Sequence, residues 1–443
     1  MSSTNSEANS GELERDARAL HATGEPIAPG EIAIGVIIGR TSEFFDFFVY
    51  AIASVLVFPS LLFPYADALT GTMYSFALFA LAFIARPVGT VIFTEIGSRY
   101  GRGVKLTIAL FLLGGSTMMM AFLPSYNQVG HVAAILLAVL RLGQGVALGG
   151  VWDGLPSLLA LNAPPGKRGW YAMVPQLGAP LGLLIASGLF TFFLLTLSQA
   201  DFLDWGWRYP FFVAFAINVV ALFARLRLVA TPEFERLFEM GELQPSSVIE
   251  TLRTEGRVVV LGAFAPLASF ALFHLVTVFA LSWVVLFSPE DSIRFLVIEM
   301  VGAAVGVLAI LASGILADVY GRRYVLGVSA ALIGAYSGFA PQLLAQGELG
   351  EVAFMILGFV LLGLAFGQSS GPVNSAFSKK ARLTGAAITA DFAWLIGAGF
   401  APLVALVLTA NFGLWSVGVY LLSGAICTLT ALFINKEWAS KSA

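Results

Sequence analysis

Long apolar runs separated by short polar stretches occupy most of this chain. A membrane-crossing helix needs roughly 20 apolar residues, and about twelve runs reach that length. They lie near 32–58, 69–97, 104–123, 131–160, 170–198, 207–229, 257–288, 293–317, 324–343, 350–376, 383–409 and 413–434. The segment between the sixth and seventh runs is the one long polar interruption, with Glu233, Glu235, Arg236, Glu239, Glu242, Glu250, Arg253 and Glu255. The pattern predicts an all-α integral membrane protein with twelve transmembrane helices in two six-helix bundles. The expected division is a disordered cytosolic tail over 1–30, a bundle over 31–229, a cytosolic linker over 230–256, a bundle over 257–434 and a tail over 435–443.

The two halves repeat each other. Residues 97–102 read Gly-Ser-Arg-Tyr-Gly-Arg, and residues 317–323 read Ala-Asp-Val-Tyr-Gly-Arg-Arg, each between two apolar runs. Gly178-Ala179-Pro180-Leu181 is echoed by Phe400-Ala401-Pro402-Leu403. Like-oriented halves about an axis along the membrane normal are a transporter plan.

Composition narrows the class. Charged residues are 12% of the chain and apolar residues 58%, whereas soluble domains carry roughly 25% charge. The mean hydropathy is +0.87. Aromatic-interleaved basic runs are missing from the sequence, which argues against a nucleic-acid partner. With Cys427 the only cysteine, no internal disulfide can form, and neither a metal site nor a cofactor is expected. A Ser/His/Asp set or phosphate loop does not stand out either, so an enzyme is not expected.

The placement of charge gives orientation. Arg99, Arg102, Lys105, Lys167, Arg168, the stretch Arg225 to Arg257, Arg322, Arg323, Lys379, Lys380 and Arg382 all fall on one side of the alternating runs. The positive-inside rule puts that side, and both termini, in the cytosol. Trp205 and Trp207 then fall at the opposite interface, where tryptophans anchor. Arg208 beside them is a candidate guide for an anion.

Ionisable residues inside apolar runs are costly and face a cavity or a partner. Arg40, Glu43, Asp46 and Tyr50 share one face of the first helix by their spacing. Asp46 or Glu43 is a candidate proton acceptor, since burial favours a neutral carboxyl; the alternative is a fixed Arg40–Glu43 or helix-to-helix ion pair that holds the bundle. Arg40 itself either attracts an anion or neutralises Glu43. Arg86 in the second helix offers a guanidinium fork suited to a carboxylate, or is tied to backbone carbonyls beside Pro87. Arg141 and Gln144 lie one turn apart on the fourth helix, and Asp153 lies three turns further on. In the second half, Asp391 beside Trp394 is a cavity candidate. His274 is a candidate whose ordinary reading is hydrogen-bonded packing, and Glu299, near a helix end, reads as solvated.

In the repeated loop, Gly101 and Gly321 allow a close helix approach, while Arg99, Arg102, Asp318, Arg322 and Arg323 are gating candidates that cross-link helix ends. Ser98 stands where the second copy has Asp318, and Glu95, one turn earlier, is the candidate to replace the missing acid.

Together, Glu43-Phe44-Phe45-Asp46-Phe47, Ala85-Arg86-Pro87-Val88-Gly89, Arg141-Leu142-Gly143-Gln144-Gly145, Pro164-Pro165-Gly166-Lys167-Arg168-Gly169, Gln176 to Gly182 and Trp205-Gly206-Trp207-Arg208-Tyr209-Pro210 resemble the major facilitator superfamily. Within it they resemble the metabolite:proton symporter branch, over about residues 31–434. The chain departs from the branch at Ser98, at Arg40 and at Val151-Trp152-Asp153. The resemblance implies a monomeric inner-membrane permease that takes up a small polar metabolite, driven by the proton gradient. It implies a proton-coupling role for Arg141; Asp46, Glu43 and Asp153 join it as proton-coupling candidates on their own intramembrane charge. For Arg86 the resemblance implies a substrate role; Arg40, Tyr50, Gln144, Asp391, His274 and Arg208 are further substrate candidates from their positions, and the arginines favour a carboxylate. The alternatives are an antiporter or exporter, a zwitterionic osmolyte symporter, and a membrane sensor without net transport.

Overall fold

A computed structural model describes residues 29–151, 159, 163–164, 166–229, 245–369, 377–378 and 380–434. Asp153, the two tails and most of the polar linker lie outside the described residues. Among the described residues there is no strand. The apolar runs become twelve principal helices: α1 Pro29–Leu56, α2 Ala68–Tyr100, α3 Arg102–Met120, α4 Val132–Val151, α5 Arg168–Thr196, α6 Tyr209–Val229, α7 Leu267–Phe287, α8 Ser292–Tyr320, α9 Arg322–Ser337, α10 Glu348–Phe366, α11 Arg382–Phe412 and α12 Trp415–Ile434. Ten are long and apolar enough to cross a bilayer on composition alone. Of the other two, α1 carries Arg40, Glu43 and Asp46, and α9 has only 16 residues.

The duplicated sequence is a duplicated backbone. Gly101 joins α2 to α3 at φ 87°, and Gly321 joins α8 to α9 at φ 85°. This is the left-handed region, where glycine alone pays no Cβ penalty. A second pair matches as well: Gly130 before α4 has φ 61° and Gly347 before α10 has φ 73°.

Small residues set the closest approaches, as expected where lipid removes the hydrophobic drive between helices. On α4, a Cβ at Gly145 would strike the Ala82 backbone of α2, and one at Gly149 would strike Arg86 and Thr90. On α5, a Cβ at Gly178 would sit 2.6 Å from Arg40 and one at Gly182 2.7 Å from Phe45. The glycines thereby press α2 and α5 against the charged helices α4 and α1.

Two local features lie where the polar segment joins the bundles. Val248–Phe264 is a helix, capped by Ser247, that turns at Glu255 (φ −126°, ψ 21°) on its way to α7. The end of the expected linker is therefore part of that rod, tied to the start of α11 by Lys380–Glu250 at 2.8 Å. Arg225, at the end of the sixth apolar run and grouped by charge with the basic loops, is buried inside α6.

The halves touch along a seam where α5 meets α8, α2 meets α11 and α1 meets α7. Facing that seam, α7 and α11 each carry one π-helical turn, Leu275–Phe279 and Leu395–Gly399. Such turns recur at functional sites.

Candidate functional site

The intramembrane charges fall into three groups. The first is an ion-paired knot near the basic-loop end of the first bundle. Glu43 pairs with Arg40 one turn before it and with Arg225 from α6; Arg225 also donates to the Val151 carbonyl at 3.0 Å. The face predicted on α1 exists, and its arginine is bound to its own glutamate. Arg225 was not foreseen, because a residue at the tail of an apolar run reads as a loop anchor.

The second group spans the seam. Arg86 Nε on α2 lies 2.7 Å from Asp391 Oδ1 on α11. Thr90, one turn along α2, donates to Asp391 Oδ2 at 2.5 Å. Two residues proposed separately for substrate neutralise one another across the interface. An ion at the bilayer centre costs roughly 3 kcal/mol or more, and truncating one member of such a pair leaves the other stranded.

The third group surrounds Phe79. Arg141 donates to Gln144 Oε1 and to the Phe79 carbonyl, both at 2.6 Å. Its guanidinium stacks 3.9 Å from the Tyr50 ring centre and 5.2 Å from that of Phe79. Among the described residues no carboxylate pairs with Arg141, and its Nε is buried without an acceptor. His274 lies across the seam on α7, its ring 6.0 Å from Phe79. The ring is completely buried, and neither nitrogen has a hydrogen-bond partner. The hydrogen bond expected of a packing histidine is missing among the described residues. Phe47, Phe83, Phe273 and Trp394 wall it in at 5.3 to 6.4 Å. The Tyr50 hydroxyl is buried and unpartnered too.

Asp46 adjoins this third group without touching Arg141. Asn218 on α6 donates to its Oδ2 at 2.6 Å, and Ser42 donates to Asn218 at 2.9 Å. Gln144 donates to Thr117 at 2.6 Å, and Thr117 neighbours the Asp46 carboxyl. A polar relay therefore runs Arg141–Gln144–Thr117 beside Asp46, and no described cation pairs with Asp46. Such a carboxyl can gain or lose a proton without breaking an ion pair.

Other expected site residues take other places. Arg208 donates to the carbonyls of Ala121 at 2.5 Å, Leu123 at 3.1 Å and Asp204 at 3.1 Å, closing the end of α3. Those bonds commit its guanidinium to backbone. Trp207 is fully buried and donates to Leu203, so it is core; Trp205 is the exposed one of the pair. Glu299 is buried, against the expectation of a solvated side chain.

The described contacts of the two loop copies differ. Asp318 accepts from the backbone amides of Gly169 at 2.6 Å and Trp170 at 3.2 Å, capping the start of α5 across the seam. Arg322 donates to the Arg168 carbonyl, and Arg323 to the Leu432 carbonyl, each at 2.7 Å. In the first copy, among the described contacts, Glu95 pairs with Arg99 within its own helix at 2.5 Å, both well exposed. The α2–α11 side is held deeper, by Arg86 and Asp391.

Comparison with known proteins agrees with this architecture. The family described as "Sugar (and other) transporter" matches residues 32–264. The inner membrane metabolite transport protein YhjE of Escherichia coli (strain K12) is 37% identical over 422 residues, covering 93% of this chain and 95% of that protein. The shikimate transporter of the same organism is 33% identical over 416 residues, covering 91% and 94%. A solved D-xylose-proton symporter superposes with a TM-score of 0.70 at 15% identity, covering 92% of this chain and 97% of that one.

Proposed function

Because the chain belongs to the sugar (and other) transporter family of the major facilitator superfamily, we propose that it imports a small ring-bearing carboxylate together with a proton. The membrane would be the inner membrane, as the name of YhjE says of that relative, with the basic loops and both termini in the cytosol.

The observation that carries this reading is the third group of charges. Arg141, His274 and Tyr50 each keep an unpartnered polar group, and all three surround Phe79 at the meeting of the two halves. Buried polar groups are ordinarily satisfied, so three unpartnered donors around one ring favour binding of an acceptor there. A carboxylate suits the Arg141 guanidinium, and the walls of Phe47, Phe83, Phe273 and Trp394 suit a flat apolar ring. The shikimate transporter, a relative named for a ring-bearing acid, supports the same class. Arg40 and Arg86, each opposite a carboxylate of this chain, are less available. In this reading Asp46 carries the proton and the Gln144–Thr117 relay connects it to the substrate's charge.

The same aromatic wall favours one second reading, a betaine held by cation–π contact. Proteoliposomes enclosing a pH dye separate the two. Interior acidification on adding a cyclic monocarboxylate supports the proposal. Acidification by betaine alone replaces the substrate class, alkalinisation replaces symport with exchange, and no response from folded protein removes both.

A further inference from the structure

Glu299 lies two turns into α8, roughly 10 Å from the helix start at 1.5 Å per residue. It is fully buried. Ser187 on α5 donates to its Oε2 at 3.0 Å, and Oε1 has no partner. That bond crosses the seam between the halves at the end opposite Asp318. The same two helices, α5 and α8, thus carry one cross-seam contact through a carboxyl near each end.

The elements packed against α8 hold their charges away from Glu299. On α5 the ionisable side chains, Arg168 and Tyr171, lie at the far end, beside Asp318. On α9, Arg322, Arg323 and Tyr324 also lie at that far end, and Tyr336 is bonded to the Phe354 carbonyl. The Ala280–Phe287 part of α7 has no ionisable residue. On α10, Glu348 and Glu351 both face Arg294, the one cation near this end of α8. Arg294 is also held by Glu290 at 2.7 Å. No described cation therefore faces Glu299.

An ionised carboxylate with one hydrogen bond and no counter-charge would bear most of its desolvation cost; a neutral one bears little. We propose that Glu299 is a proton-binding site distinct from Asp46, protonated while α5 and α8 are closed at this end and ionised when they part. In each closure water delivers one proton to the carboxylate, and in each opening the acid returns it. No other bond changes. Closure at this end is then linked to proton uptake, and high pH favours the open seam. The inference uses the contact between the halves and does not depend on the substrate class.

The test needs no substrate. In a Cys427→Ser background, Thr191→Cys places a thiol on α5 one turn from Ser187, at a buried position. Its alkylation rate in detergent is normalised to Leu349→Cys, an exposed reference position. From about pH 5.5 to about pH 8.5 the normalised rate should rise about tenfold or more, since a tenfold change needs only one titrating unit. With Glu299→Gln the rate should stay low and flat. Ser187→Ala, which removes the single donor, should keep the pH dependence and displace its midpoint. The same pH dependence in Glu299→Gln overturns the proposal, as does a flat profile in the parent. A Glu299→Gln protein that fails to fold leaves Ser187→Ala as the deciding variant: an unmoved midpoint overturns it.

Discussion

Arg86 on α2 and Asp391 on α11 stand 2.7 Å apart across the seam between the two halves. Each is the obvious partner for a charged substrate, and each is occupied by the other. Asp391→Asn should strand a buried guanidinium and lower stability by about 3–5 kcal/mol at most, read as a lower thermal midpoint. The double variant Arg86→Gln with Asp391→Asn should regain much of that loss. A double variant no better than the worse single one would show that the two residues do not act as a pair.

Asp46→Asn should separate exchange from accumulation. Asn218 can turn its amide and keep a hydrogen bond to the new side chain, so the fold should survive. Counterflow of labelled substrate should persist, while uptake driven by a pH gradient should fall to background. Retained gradient-driven uptake would move the coupling proton elsewhere.

His274→Phe removes two buried nitrogens that have no partner among the described residues. An unsatisfied buried polar group costs about 1–3 kcal/mol, so this variant should melt higher than the parent. If His274 meets the substrate, KM should rise about tenfold, the worth of one good hydrogen bond. Higher stability with unchanged KM would confine the residue to packing.

Gly145→Val should prevent α2 and α4 from seating, because the new side chain would enter the Ala82 backbone. Folded protein, measured as the monodisperse fraction after extraction, should nearly vanish. Gly115→Ala is the matched control. A Cβ there meets nothing within 4 Å, and alanine in a helix gains up to about 1 kcal/mol over glycine.

Asp318→Asn should raise thiol accessibility at the basic-loop end of the seam by several-fold, by weakening the cap on α5. Glu95→Gln should not, since an exposed pair one turn apart is worth about 0.5 kcal/mol or less. Equal responses from the two variants would contradict the asymmetry between the loop copies.

Helices were legible in the chain because lipid imposes length and apolarity on every crossing. The repeat was legible because Gly101 and Gly321 answer one backbone demand in two places. The charged face of α1 followed from helical spacing. Spacing along one helix does not say which helix covers a residue, and the misreadings share that cause. Arg225 gained burial from Glu43, far away in sequence. Glu299 gained it from α5, and Trp207 from the close of its own bundle. His274 was visible as an intramembrane histidine, but its want of a partner is a property of the folded aromatic wall.

Asp318 grips the main-chain amides of residues 169 and 170, not a side chain. The grip is indifferent to what residue 170 is, provided it retains an N–H; a proline is the one replacement that disarms it. Gly169 is constrained for another reason, as Ala317 and Asp318 leave no room for a Cβ. Sequence drift along the head of α5 can therefore remodel the surface around this fastening while the fastening itself is inherited unchanged.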